Sequence, residues 1–444
     1  PRGCPHAFEL RRVGFGDGTE VKNNARMLRG FVMCATVWMV TAFVRAAPTG
    51  SPPPWRHGWD TASDMIFAQG KNKTGLLTKA EASFIGKNFV MHTGGNCDGA
   101  SAFSPPSHEK SAVANAVALR RINPAIKTMF YYKVHEIREI GVCSDFTSAW
   151  NAHPEWQLRN SSGGIAHDAD GNLVPDCSNT DYATAVGDHL FEFLSTWDNA
   201  TNRPLLDGLY SDGIGSIPPG VTKPVGNAWL AACGQILTTL QQRFDTARHG
   251  QLVLINGLDS ADLLQPHAAA GRGSMVDHFA VMQFVNKTTG RWIPEALHDL
   301  LFGVVRSPVN KERMLQIKTW PGNLVHSQEL VNNTQPTTQA GLQKMVGTNF
   351  NAALALFLLV AEDSSYFGYS WFWNLGDWIP CGGTTQTVPD DFFPELTRPL
   401  GAPLGPPTRV PGTLWRYTRE FLHASVCADL SNHSDTQVVW HTVN

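Results

Sequence analysis

Short apolar runs alternate with longer amphipathic stretches about eight times between residues 88 and 371, and no other pattern in the chain restricts its fold as strongly. The runs 88–93, 128–134, 173–178, 206–212, 251–257, 278–284, 313–320 and 365–371 each have the length and composition of a buried strand. Between them the spacing predicts helices over 108–122, 181–195, 228–244, 294–304 and 339–361, with a short one near 261–269. Val113, Ala116, Val117 and Leu119 make one apolar face of the first, and Val186, Leu190, Phe191 and Leu194 one face of the second. Residues 353–361 are apolar all round, as in a buried helix. Strand–helix alternation predicts an α/β fold with a parallel sheet, and eight units suit a closed (β/α)8 TIM barrel better than an open doubly wound sheet. No G-x-G-x-x-G follows the first strand and no G-x-x-x-x-G-K-S/T occurs, which disfavours a dinucleotide fold and a P-loop. The barrel is expected to span 85–377 after an entry segment over 48–84. Residues 378–411 are rich in Pro and Gly, and 415–428 and 437–443 read as paired strands. Residues 378–444 are thus a linker and a small C-terminal antiparallel β appendage.

In a barrel of this kind chemistry sits where strands end and loops begin. The fourth run ends Leu209-Tyr210-Ser211-Asp212-Gly213, a buried strand finishing on an acid before a glycine that lets the chain turn away. Asp212 is the first candidate for a catalytic group. A turn-capping role is the alternative.

The N-terminal part carries a different message. Residues 1–26 are polar and read as lying upstream of the folded protein. Met27, Arg29, an apolar run over 31–44 and Arg45-Ala46-Ala47 have the layout of a secretory signal peptide over 27–47. The run is shorter than the roughly 20 residues of a membrane span. N-x-S/T sequons at Asn72, Asn160, Asn199, Asn286, Asn332 and Asn432 also point to a secreted glycoprotein. Cys97, Cys143, Cys177, Cys233, Cys381 and Cys427 remain beyond the leader, an even number that permits disulfides. Cys143 and Cys177 flank one polar insertion over 149–174 and could close it. Charged residues are only 16% of the chain and the net charge is -3 with no basic stripe, so nucleic acid is not an expected partner. Nor is a membrane after leader cleavage. Asp168 to Asn172 superficially resemble a calcium loop but lack the glycine position and terminal glutamate of an EF-hand, and no C-x-x-C occurs. No metal and no cofactor are expected.

Several short phrases, in order, carry a resemblance. They are Asp176-Cys177-Ser178-Asn179, a helix, and then Asp207-Gly208-Leu209-Tyr210-Ser211-Asp212. His153-Pro154-Glu155-Trp156, Ser365-Tyr366-Phe367 and Pro399 to Pro403 before Arg419-Glu420-Phe421 join them. Together they resemble a group of barrel-fold glycoside hydrolases, loosely similar to the α-galactosidase and α-1,4-polygalactosaminidase type, over most of residues 85–440. The resemblance implies hydrolysis of carbohydrate, with the fourth-strand aspartate, here Asp212, as a catalytic carboxylate. It also implies a second carboxylate at the end of the sixth strand, where this chain has Gln283. An amide can bind a hydroxyl but cannot serve as acid, base or nucleophile.

Glycoside hydrolysis normally uses two carboxyl groups. Asp176 and Glu136, at the tips of the third and second predicted strands, are the candidate partners of Asp212. Asp176 could instead cap the following helix. Glu362 and Asp363 precede the eighth strand and belong on the opposite, stability face. Asn256 and Gln283 suit hydroxyl recognition, and Trp320, Trp371 and Trp373 could stack on sugar faces. Tyr210 and His92 complete the expected binding set. No G-x-S-x-G elbow supports a serine hydrolase. A secreted glycoside hydrolase acting on an oligo- or polysaccharide is the leading expectation. A carbohydrate-binding barrel without catalysis, or a structural glycoprotein, stands as the alternative.

Overall fold

The computed structural model describes residues 55–69, 76–95, 97, 100–136, 143–168, 171–213, 217–258, 271–277, 279–281, 284–286, 289, 291–319, 339–369 and 394–442. Eight parallel strands form one sheet: β1 Phe67–Gln69, β2 Met91–Thr93, β3 Lys127–Tyr131, β4 Gly208–Ser211, β5 Leu252–Asn256, β6 Gly273–Val276, β7 Met314–Thr319 and β8 Ser365–Tyr369. Each pairs with the next in chain order. Ile66, just before β1, bridges Phe367 of β8 in parallel and closes the sheet on itself. The result is a (β/α)8 TIM barrel.

The pleat explains why these strands carry so few polar residues. Both faces of a barrel strand are covered, so apolar runs replace alternation. In β5, Leu252 and Leu254 face the barrel interior with Met91, Met129, Tyr131, Tyr210, Met275, Met314 and Tyr366. Val253 and Ile255 face outward and pack with the surrounding helices. Trp55 plugs the N-terminal end, donating from Nε1 to Gly250 O and lying under Lys127. Glycine is required where strands crowd: a Cβ at Gly208 would sit 2.1 Å from Leu252 O.

The helices that cross between strands include α1 Lys79–Asn88, α2 His108–Ile122, α4 Thr180–Leu194, α5 Lys223–Ala247, α6 Pro294–His298 and α8 Gln339–Val360. A short α3, Thr147–Ala152, lies in the insertion between β3 and α4, and α7, Pro308–Lys311, precedes β7. Residues 352–361 are buried throughout, as their all-round apolar composition predicts. Among the described residues no helix is long and apolar enough to cross a membrane.

Three strand assignments differ from the sequence reading. The first barrel strand is Phe67–Gln69, inside the stretch read as an entry segment, so the run at 88–93 supplies β2. The run 173–178 is not a barrel strand. Leu173 and Pro175 instead bridge His167 and Gln157 within the insertion, where Pro175 has no N–H to give to a central ladder. The sixth strand is Gly273–Val276, not 278–284. Its glycines concealed it, yet packing demands them, since a Cβ on Gly271 would meet Val253 O at 2.0 Å.

Disulfides join Cys97 to Cys143 and Cys177 to Cys233. The insertion is therefore not closed on itself by Cys143 and Cys177. Each end is stapled to the barrel's surroundings, one to the β2–α2 loop and one to α5. Cys427 is a free thiol, and Cys381 lies outside the described residues.

The C-terminal appendage is the expected antiparallel sheet, β9 Thr408–Arg409, β10 Arg416–Glu420, β11 Ala424–Asp429 and β12 Gln437–Trp440. Tyr417, Phe421, Val426 and Val438 join the same apolar cluster as α8. Arg419 donates to Leu358 O, Leu359 O and Ala361 O, giving the exposed carbonyls at the end of α8 a buried cationic cap.

Candidate active site

The inward-facing residues at the C-terminal ends of β3 to β7 build the site. On β4 the inward set continues from Tyr210 to Asp212, and on β5 it ends at Asn256. Register places Ser211 beside Ile255, so Asp212 and Asn256 are neighbours. Asn256 Nδ2 donates to Asp212 Oδ1 at 2.8 Å. From β3, the Tyr131 hydroxyl donates to Asp212 Oδ2 at 2.9 Å, and the Lys133 ammonium lies 3.6 Å from the same oxygen. The Gly213 N–H donates to Oδ1.

Asp212 keeps 29% side-chain exposure, so it is open to a ligand. Burial pushes its carboxyl pKa up, but Lys133 and the hydrogen bonds from Asn256, Tyr131 and Gly213 outweigh that. The net effect is a pKa below the ordinary aspartate value, and the group is a carboxylate at neutral pH.

Glu136 follows β3 and is buried, with both oxygens engaged. Oε2 accepts from Lys133 Nζ at 2.7 Å and Oε1 from Asn172 Nδ2 at 3.2 Å. It shares one ammonium with Asp212. Asp176 is placed differently. It lies in the insertion rather than on a barrel strand, and its Oδ1 accepts from the Ser178 N–H and hydroxyl, the turn that leads into α4. Asn179, not Asp176, caps that helix.

The pleat places two further candidates away from the rim. Met91 faces inward, so His92 faces outward, into a cavity shared with His108, Ser111 and Asn115 of α2. A one-residue step exchanges faces. Tyr210 is inward but fully buried, one layer below Asp212, with its ring 5.5 Å from that of Tyr131. Gln283, Trp320, Trp371 and Trp373 lie outside the described residues. Glu362 and Asp363 pair with Arg306 and Arg56 ahead of β8, on the face away from the site.

Sequence reading missed Asp277. It directly follows β6, continues the inward set Gly273, Met275, and is 3% exposed. Register runs Asn256–Met275 on one side and Val276–Ile317 on the other, which brings Asp277 level with Lys318 of β7, itself 1% exposed. The available signal was Met275-Val276-Asp277, an apolar pair ending on an acid as in Leu209 to Asp212. Asp212 and Asp277 thus emerge two strands apart, roughly 10 Å at the backbone from a spacing of about 4.8 Å per strand.

Among the described residues, one group has three potential metal-binding side chains within reach of each other: Cys97, His108 and Cys143. The two cysteines are joined as a disulfide, so no thiolate is offered there. The site at the barrel mouth is one of carboxylates, amides, a phenol and amines.

No family model matches this chain. No curated protein matches it either. Solved structures with a similar course include a GH36 α-galactosidase from Geobacillus stearothermophilus, 9% identical, covering 71% of this chain and 39% of its own, with a TM-score of 0.37. A second from the same organism, in complex with 1-deoxygalactonojirimycin, is 8% identical and covers 82% and 46%, with a TM-score of 0.42. A 2,3-dimethylmalate lyase of the PEP mutase/isocitrate lyase superfamily is 10% identical over 60% and 71%, with a TM-score of 0.29. The chain spans less than half the length of either galactosidase. A shared fold does not fix the chemistry, and the reaction has to be argued from the site.

Proposed function

We propose that this chain is a secreted glycoside hydrolase that cleaves an O-glycosidic bond at the C-terminal mouth of its barrel, with Asp212 and Asp277 as the two carboxyl groups. The observation that carries this reading is Asp212 itself. It is a part-exposed carboxylate at the tip of β4, held ionised and oriented by Tyr131, Asn256 and Lys133. An ionised acid fixed in this way meets the positive charge that develops at an anomeric carbon in the transition state. Asp277 carries a proton to the departing oxygen and takes one from the water that replaces it. Asn256 orients the carboxylate and presents an amide to a sugar hydroxyl.

The reading without catalysis drew its support from Gln283 at the end of the sixth strand. Gln283 lies outside the described residues, and the residue that follows β6 is Asp277. The two buried disulfides fit an oxidising compartment.

The test is hydrolysis of a panel of aryl glycosides and polysaccharides by the native protein, Asp212→Asn and Asp277→Asn. We expect turnover by the native chain and losses of about a hundredfold to ten-thousandfold in each variant, the range for removing an acid–base group. Glycan binding by all three without turnover would replace the hydrolase by a carbohydrate-binding barrel.

A further inference from the structure

We infer that Lys133 and Glu136 are a positioning pair for Asp212, anchored from outside by Asn172 of the insertion, and that Glu136 does not act on substrate. This rests on the reading of Asp212 as the reactive carboxylate. The geometry is a chain of contacts from the insertion to the site. Asp168 accepts from the backbone N–H and the Nδ2 of Asn172. Asn172 Nδ2 also donates to Glu136, and Glu136 holds Lys133, which faces Asp212.

The two ammonium distances are unequal, 2.7 Å to Glu136 and 3.6 Å to Asp212. Glu136 takes the close pairing and holds the cation back from Asp212. The positive charge still favours the ionised form of Asp212, but its oxygen is not locked in a tight ion pair. Without Glu136 the flexible lysine stem lets the ammonium close on Asp212. A group acting as acid on substrate needs an oxygen free to reach the leaving atom. Both oxygens of Glu136 are already committed to protein donors. Among the described residues, the other groups facing the mouth are Tyr131 from β3, Asp277 after β6 and Lys318 from β7. Tyr131 donates to Asp212, while Asp277 lies level with Lys318. Lys133 is the ammonium in contact with Asp212.

The pair predicts shifts of opposite sign, which a merely structural role does not. The experiment is a carboxyl-carbon NMR titration of the full chain labelled at aspartate, with the Asp212 signal assigned by its loss in Asp212→Asn. Lys133→Met should raise the Asp212 pKa by about one unit or more, and Glu136→Gln should lower it, because a neighbouring opposite charge favours ionisation and a like charge opposes it. Lys133→Arg keeps the charge and should stay near the native value, a control against misfolding. Asn172→Ala should move the pKa in the same direction as Glu136→Gln, by less. Shifts of the same sign in Lys133→Met and Glu136→Gln, or no shift in either, would overturn the pairing. So would a Glu136→Gln protein that still cleaves activated aryl glycosides, loses unactivated ones, and is rescued by azide, since that marks an acid–base catalyst. The titration needs no substrate. A chain that turns nothing over but shows the opposed shifts would refute the hydrolase reading and leave the positioning pair intact.

Discussion

The two disulfides set a measurable part of this protein's stability, and they hold the segment that flanks the site. Replacing Cys97 and Cys143 together by alanine reopens a loop of 46 residues, and replacing Cys177 and Cys233 reopens one of 56. The loops follow one another in sequence without interleaving, so their effects should add. The chain-entropy relation gives about 4 kcal/mol for each loop length. Unfolding entropy of about 2.1 cal/mol/K per residue makes the slope for a chain this size about 0.9 kcal/mol/K, so each pair should lower the melting midpoint by roughly 4 °C. Calorimetry or circular dichroism on the two double variants, and on the quadruple variant, reads this directly. Cys177 and Cys233 are both nearly inaccessible, so a mild reductant should leave that pair intact in the folded chain until it is warmed towards its midpoint, whereas Cys97–Cys143, with Cys97 partly exposed, should be reduced first. The two pairs should differ in their effect on the site. Cys143 anchors the insertion on the side of β3, whose extension carries Lys133 and Glu136, so losing Cys97–Cys143 should weaken turnover as well as stability. A midpoint unmoved by either double substitution would refute the pairing. A midpoint lowered by one pair only would refute additivity of the two loops.

Three further outcomes follow from individual contacts. Gly208→Ala places a Cβ 2.1 Å from Leu252 O, a backbone atom that cannot swing aside, so the β4–β5 spacing must open. We expect a loss of roughly 3 kcal/mol or more, seen as a lower urea midpoint or insoluble protein, and an unchanged midpoint would refute it. Asp212 has a folded pKa below its unfolded value, so the stability it contributes is complete above the ordinary aspartate pKa of about 3.9 and is lost as pH falls through the folded value. Stability–pH curves should show the native chain losing more than Asp212→Asn in that acid window, and parallel curves would contradict the ion pair. Asn256→Asp replaces the 2.8 Å donor to Asp212 with a like charge, so the Asp212 pKa should rise and the acid limb of any activity should move to higher pH, read from a pH–rate profile.

The barrel was legible because covered strands need unbroken apolar runs, and 251–257, 313–320 and 365–371 contain three of them. Two strands were hidden for physical reasons. β1 spans only three residues, and with Met65 and Ile66 before it the apolar run was too short to stand out. β6 opens on Gly273 packed against Leu252 and Leu254, two residues after Gly271, whose place a Cβ could not share with Val253 O, so a packing requirement looked like a turn. Asp212 nevertheless stood at the tip of the fourth strand. The missed β1 and the supernumerary run at 173–178 offset each other in the count. The misplaced sixth strand was costlier, since it took attention to Gln283 and away from Asp277, which follows the observed strand. Lys133 could not be found from sequence, because its value lies in register: Tyr131 pairs with Tyr210, which brings Lys133 level with Asp212. His92 shows the reverse limit. A strand boundary can be nearly right while the parity of its faces remains open.

Register also explains how one mouth can hold two acids. Across β3 to β7 the inward residues at the rim read Lys133, Asp212, Asn256, Asp277 and Lys318. A neutral amide stands between the two carboxyl groups, and each has an ammonium on its far side. Two carboxylates in direct contact drive one another's pKa apart until one is protonated. Here the amide strand separates them and donates to Asp212, so its ionisation does not depend on Asp277 being neutral. The arrangement leaves the difference between them to solvent access. Asp212 is partly open and ringed by donors, whereas Asp277 is 3% exposed beside a buried lysine. On the proposed reading, the part-exposed, donor-ringed carboxylate serves charge stabilisation and the enclosed one the proton transfer. If the proposed hydrolysis holds, the division of labour between the two acids is set by which neighbour each strand offers, rather than by the acids themselves.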